Sequence, residues 1–166
     1  KRLEMSVNVT WGSAEKVWRM DAAIVDLDGT MVDTLGDFLE AINCMLSDLQ
    51  MPLLEAQDVE QMVGKGTEHL IRSALRLVLR NAGHPDDGLG DAVEGLQPLA
   101  LERYMHHYIL INGNHPKLYD GVLQGLQALK AAGLRLACVT NKPLAFTTPL
   151  LAAKGLDGLF EVVFGG

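Results

Sequence analysis

The chain has 166 residues, 48% of them hydrophobic and 21% charged, which fits one ordinary globular domain or a small core carrying an insert. A formal net charge of −7, with no Lys/Arg block, argues against a nucleic-acid surface. There is no apolar run of about 18 residues to span a membrane. The two cysteines, Cys44 and Cys138, have neither metal-site spacing nor the number for a disulfide scaffold, and they read as reduced thiols of a cytoplasmic protein.

Residues 1–19 lack the apolar stretch of a signal peptide and read as an N-terminal extension, with Trp11 and Trp18 available to pack on a neighbour. The first core strand is Ala22-Ala23-Ile24-Val25, a short apolar run that enters a glycine loop and is expected to be fully buried. Apolar residues then recur at Leu35, Phe38, Leu39, Ile42, Met45, Leu46 and Leu49, the 3.6-residue spacing of a helix with one buried face, ended by Pro52. A shorter helix is predicted over residues 55–63. After Gly64-Lys65-Gly66, Thr67 is the expected N-cap of a helix carrying Leu70, Ile71, Ala74, Leu75 and Val78, which stops at Asn81-Ala82-Gly83. Residues 84–90 read as a loop. The next helix carries Leu101, Tyr104, Met105 and Tyr108 and closes near Asn112-Gly113-Asn114.

Strand signals return only after His115. A helix over residues 120–132, with Gly133 at its C-cap, precedes a strand over 134–139. A helix over 143–154 then precedes a strand over 161–164. Pro149 is expected in the first turn of that helix, with Thr147 or Thr148 as cap. Strand–helix alternation at both ends implies a parallel sheet with right-handed crossovers. The predicted class is α/β: a Rossmann-like parallel sheet core, residues 20–34 and 116–166, with an all-helical cap domain inserted over residues 35–115. An insert at that point is placed to close over the first strand's loop.

That loop, Asp26-Leu27-Asp28-Gly29-Thr30, lies where open α/β sheets bind ligands, beyond a strand's carboxyl end. Hydrolysis of a phosphate monoester demands acceleration of up to ~10²¹-fold, and an aspartyl-phosphate route divides it into two steps. Asp26, on the strand end, is the candidate nucleophile. Asp28 is the candidate general acid and then base, work typically worth about 10²–10⁴-fold. Two carboxylates facing a phosphate dianion require a cation, and oxygen ligands favour Mg²⁺, held at Asp26 and Asp28. Gly29 permits a sharp turn, and Thr30 offers its N–H or hydroxyl to a phosphate oxygen. A solvated Asp-Gly turn is the competing reading of the dipeptide alone.

At the end of the second core strand, Thr140 and the Asn141 N–H form a candidate phosphate-binding pair at a helix start. Lys142 either adds positive charge there or is an exposed helix-start lysine. The Gly64-Lys65-Gly66 loop is either a plain turn or presents Lys65 and Gly66 to a substrate carboxylate. His69, His84, His106, His107 and His115 lack the spacing of a zinc site.

The stretch Ile24-Val25-Asp26-Leu27-Asp28-Gly29-Thr30-Met31-Val32-Asp33-Thr34 resembles the first motif of the haloacid dehalogenase superfamily of phosphatases. Val139-Thr140-Asn141-Lys142-Pro143 resembles its second, and within the superfamily the chain is similar to the phosphoglycolate phosphatases. The resemblance runs over residues 22–166. It implies Asp26 as nucleophile, Asp28 as acid/base, Thr140 on the phosphoryl group and the loop at Lys65 on the substrate. It also implies a metal on the Asp26 carboxylate, the Asp28 backbone carbonyl and a more distant Asp. The family pattern places a lysine beyond the third core strand and acidic residues after a fourth, so a C-terminal segment carrying them is expected.

The reading is therefore a Mg²⁺-dependent phosphatase acting on a small phosphorylated metabolite, with 2-phosphoglycolate implied by the resemblance. It is expected to be a monomer or homodimer with no nucleic-acid or membrane partner. The alternatives are a sugar-phosphate mutase of the same superfamily and an inactive chain that binds phosphate or a protein.

Overall fold

A computed structural model describes the backbone of residues 6–11 and 14–19 and all of residues 20–166. Residues 1–5, 12 and 13, and the expected packing of Trp11 and Trp18, lie outside the described residues. Within the N-terminal stretch, β1 (Ser6–Trp11) and β2 (Ala14–Arg19) pair antiparallel, a hairpin the sequence pattern did not predict. The chain continues through β3 (Ala22–Val25), the short β4 (Val32–Asp33), and the helices α1 (Leu35–Asp48), α2 (Ala56–Glu60), α3 (Thr67–Asn81) and α4 (Leu89–Ile111). It then forms β5 (Lys117–Leu118), α5 (Val122–Ala131), β6 (Arg135–Val139), α6 (Leu144–Ala153) and β7 (Val162–Phe164).

The fold is α/β, as expected. The core sheet has the order β3-β6-β7 and is parallel throughout, with Ala22 opposite Arg135, Val25 opposite Cys138 and Ala137 opposite Val162. The crossover helices α5 and α6 bury Leu126, Leu150 and Leu151 with Leu27, Leu136 and Cys138 against one face. Burial of each such side chain is worth about 1.5–3 kcal/mol. The other face carries Ile24, Val139, Val162 and Phe164, all exposed. The expected full burial of the first core strand is not met within residues 20–166, where Ile24 is 73% exposed. A pleated strand sends alternate residues to opposite faces, and the crossover helices cover only one of them.

A second cluster of buried residues belongs to the helices, where α1 and α3 pack on α4 through Ile42, Met45, Leu46, Ile71, Leu75, Tyr104 and Tyr108. Phe146 of α6 joins this cluster and ties the helical layer to the sheet. Several boundaries differ from the pattern for physical reasons. The chain leaves α1 at Gln50, whose positive φ of 56° reverses direction before Pro52 is reached. The first residue of α3 is Thr67, and its cap position is Gly66 at φ 89°, a left-handed value that favours glycine over threonine.

Helix α4 begins well before Leu101, at Leu89, because Leu89, Val93 and Ala100 extend the buried stripe past Pro98. In α6, Pro149 lies in the interior rather than the first turn, and Pro143 holds the cap position. Burial of Phe146, Leu150 and Leu151 offsets the roughly 3 kcal/mol that an interior proline costs. Thr147 does not cap; its hydroxyl donates to the carbonyls of Pro143 (3.1 Å) and Lys142 (3.2 Å).

The chain enters and leaves the helical layer side by side, where β4 and β5 pair through Val32–Leu118 and Asp33–Lys117. Just beyond, the fully buried Asp37 carboxylate accepts the N–H groups of Gly113 (2.7 Å) and His115 (3.0 Å), and meets His115 Nδ1 at 3.1 Å. One carboxylate thereby clasps the start of α1 to the segment leaving α4. Asp37→Ala strands those backbone donors and is expected to lower unfolding free energy by about 2–4 kcal/mol, read from urea unfolding curves. A loss below about 1 kcal/mol would mean that water replaces the clasp.

Candidate active site

Because β3 and β6 pair in parallel, the loops that follow Val25 and Val139 leave the same edge of the sheet. The first loop is wound around Leu27, which is completely buried and whose carbonyl accepts the N–H groups of Met31 (2.9 Å), Val32 (3.1 Å) and Thr30 (3.3 Å). Gly29, at φ 74°, closes the turn by donating to Val32 O at 2.9 Å. Asp26 Oδ1 accepts the Leu27 N–H at 2.7 Å. With Leu27 turned into the core, Asp26 and Asp28 both line the cleft above the sheet.

The second loop is held to β7 by Thr140 N–H donating to Phe164 O at 3.0 Å. The buried Thr140 hydroxyl accepts the Lys142 N–H at 3.2 Å. Asn141 reaches the opposite way, and its Nδ2 donates to Gly64 O of the helical layer at 2.7 Å. The resulting cleft, about 470 Å³ including its solvent-open part, is lined by Asp26, Asp28, Thr140, Asn141, Lys142 and Gly66 of the expected residues. Phe38, Val63, Leu70 and Tyr108 supply an apolar wall.

Three expected residues stand apart. Gly29 and Thr30 do not line the cleft, and the Thr30 N–H is already bonded to Leu27 O, so their place in the geometry is the turn. Lys65 is exposed and also outside the lining, although Gly64 and Gly66 on either side of it are within. The alternatives for Lys142 are resolved: it is 4% exposed, with Nζ 3.5 Å from Asp28 Oδ1. Thr34, Phe38 and Tyr108 are additions that sequence reasoning did not single out. Thr34 is buried close to Asp28 and favours its charged form. Tyr108 contacts Lys142 through its hydroxyl. The available signal for Tyr108 was a phenol set in an apolar helical stripe, since a buried Tyr hydroxyl usually finds a partner.

Burial dominates the electrostatics. It pushes the Asp28 carboxyl above the usual carboxylate range, although Lys142 and the nearby Thr34 pull it back. Burial also lowers the Lys142 ammonium, against the opposing attraction of Asp28. Opposite charges 3.5 Å apart attract by roughly 5 kcal/mol at an effective dielectric near 20. That is comparable with the several kcal/mol needed to desolvate each ion. Burial, with Asp26 and Asp28 nearby, drives the Cys138 thiol up to about 11, which keeps it a neutral core residue.

The donor set suits a hard cation. Asp26 and Asp28 present only oxygen, and Mg²⁺ is commonly held by one or two carboxylates with water and substrate oxygens completing its shell. Among the described residues no group of three or more His, Cys, Asp or Glu forms a further metal cluster, and no helix is long and apolar enough to cross a membrane.

The profile of the haloacid dehalogenase-like hydrolases matches residues 20–166. The phosphoglycolate phosphatase of Nitrosospira multiformis is 40% identical over 145 residues, covering 87% of this chain and 60% of that protein. The plasmid phosphoglycolate phosphatase of Cupriavidus necator is 39% identical over 145 residues, covering 87% of this chain and 58% of that protein. The crystal structure of a predicted phosphoglycolate phosphatase from Haemophilus somnus 129PT is similar with a TM-score of 0.77 at 32% identity, over 89% of this chain and 63% of that one. The chain thus spans less than two thirds of the length of these relatives. A profile match running from the sheet's first strand to Gly166 shows that the chain belongs to the haloacid dehalogenase-like hydrolases.

Proposed function

We propose that this chain carries the reacting groups of a phosphatase for small phosphate monoesters, with 2-phosphoglycolate as the first substrate to test. The observation that carries the reading is the convergence of Asp26, Asp28, Thr140, Asn141 and Lys142 on one cleft from two paired strand ends. Relatives named phosphoglycolate phosphatase support the substrate. Helices α1 to α4, residues 35–111, act as the cap expected over residues 35–115, and the Gly64–Gly66 loop closes the far side of the cleft.

In this mechanism Asp26 attacks phosphorus and becomes an aspartyl-phosphate, while Asp28 gives a proton to the departing oxygen. Asp28 then takes a proton from the water that attacks the acyl-phosphate, which restores both carboxyl groups. The raised affinity of Asp28 for its proton suits the acid role. The Thr140 hydroxyl and the Asn141 N–H hold phosphoryl oxygens, and the apolar wall of Phe38, Val63 and Leu70 limits water in the cleft. Mg²⁺ at Asp26 and Asp28, when bound, offsets charge between carboxylates and phosphate. Lys142 adds a second positive charge beside Asp28. The Gly64–Gly66 loop supplies the substrate contact from the helical side, with Gly64 and Gly66 lining the cleft and Lys65 exposed beside them.

Phosphate release from 2-phosphoglycolate with Mg²⁺ is expected to fall more than about 10³-fold in Asp26→Asn. The wild type, with Mg²⁺ and beryllium fluoride, should bind the fluoride as an aspartyl-phosphate mimic. Turnover that survives the substitution would remove Asp26 from the mechanism. Asp28→Asn separates the acid role by leaving group. An alkyl phosphate should lose about 10²–10⁴-fold in kcat, whereas p-nitrophenyl phosphate, whose leaving group needs little protonation, should lose distinctly less. Equal losses on both substrates would argue that Asp28 is not the acid.

A further inference from the structure

Lys142 has two kinds of neighbour. On one side lies Asp28, with Oδ1 3.5 Å from the ammonium. On the other, Nζ meets the Tyr108 hydroxyl and lies 4.8 Å from the centroid of the Tyr108 ring and 4.9 Å from that of Phe38. Asp28 belongs to the sheet unit, while Phe38 and Tyr108 come from α1 and α4 of the helical layer. Half of the seat for this cation is therefore built by elements that the sheet does not contain.

On its helical side the seat is packed among aromatic rings. The Tyr108 ring stacks on Tyr104 at 5.2 Å and on Phe38 at 5.7 Å, and meets Phe146 edge-on at 4.9 Å. A lysine side chain is long and flexible, so a hydroxyl and a neighbouring ring select one of its many rotamers. The preceding residue, Asn141, also crosses to the helical layer through its 2.7 Å bond to Gly64 O. Two consecutive residues of the loop after β6 thus depend on the docked helices for their positions.

We propose that Tyr108 is a positioning residue of this site: its hydroxyl, with the Phe38 ring beside it, holds Lys142 against Asp28 when the helical layer is docked. Undocking removes the hydroxyl and the Phe38 ring together and releases the ammonium from the carboxylate. The charge pair is thereby coupled to closure of the cleft. The kinetic consequence rests on the phosphatase reading; the seat itself does not.

Tyr108→Phe removes the hydroxyl and keeps the ring, and Lys142→Met removes the cation at similar length. With p-nitrophenyl phosphate and Mg²⁺, Tyr108→Phe is expected to lower kcat roughly tenfold while KM stays within about twofold. The double variant should be no slower than Lys142→Met alone, because Tyr108 acts through Lys142. Multiplying losses in the double variant would overturn the proposal.

Acetylation of lysines, read by mass spectrometry, tests the seat without turnover. Lys142 should react slowly in the wild type and at least about fivefold faster in Tyr108→Phe, with the exposed Lys117 as internal reference. Equal Lys142 labelling in the two proteins would overturn the seat. A wild type without phosphatase activity whose Lys142 labelling still depends on Tyr108 would support the seat and count against the phosphatase reading.

Discussion

Parallel strands exchange hydrogen bonds in a fixed register, and the pairing of β3 with β6 brings Val25 level with Cys138. The polar groups on the sheet side of the cleft follow from that alignment. Both loops leave the sheet at the same edge, so carboxylates encoded near residue 27 meet Thr140 and Lys142 more than a hundred positions later in the chain. A slip of one residue would send Leu27 away from the core and reverse the faces of its neighbours, because strand side chains alternate with a period of two. Leu27 is the anchor that resists such a slip. It is wholly buried, and its carbonyl gathers the N–H groups of the turn behind it.

The helical layer contributes to the site in a different way. It is joined to the sheet at one place, where β4 pairs with β5 and Asp37 clasps the departing segment. Elsewhere it meets the sheet unit through specific contacts, including Phe146 in its core, Asn141 on Gly64 and Lys142 on Tyr108. A layer joined to the sheet at one edge and touching the site at another places groups from both units around one charge pair. Burial of Lys142 costs several kcal/mol of solvation, and a single carboxylate returns about the same amount. The Phe38 ring and the Tyr108 hydroxyl of the helical layer add to that balance on the side of the buried pair.

Much of this was legible in the order of residues. Ala22–Val25, the 3.6-residue stripes of α1 and α3, the glycine that closes α5 and the short apolar runs of β6 and β7 identified the α/β class, and local pattern alone sufficed for that. The Asp26-Leu27-Asp28-Gly29 turn was readable for the same reason, since its geometry depends on neighbours within a few positions. Errors arose where burial in three dimensions outweighed local preference. Pro98 and Pro149 lie inside helices because the apolar residues around them pack.

Sequence by itself therefore determined the three core strands and most of the helices, the chemistry of the candidate groups and the strand ends that present them, because propensity, periodicity and turn formation act over a few residues. Tertiary structure alone decided which of those groups share a cleft and what surrounds each one. Thr30 is committed to its own turn and Lys65 stands in solvent, while Lys142, readable either way in one dimension, is enclosed by Asp28, Phe38 and Tyr108. The physical reason is that a charge owes its surroundings to whatever the fold packs around it. Those partners come from residues 28, 38 and 108, a spacing on which no local pattern acts.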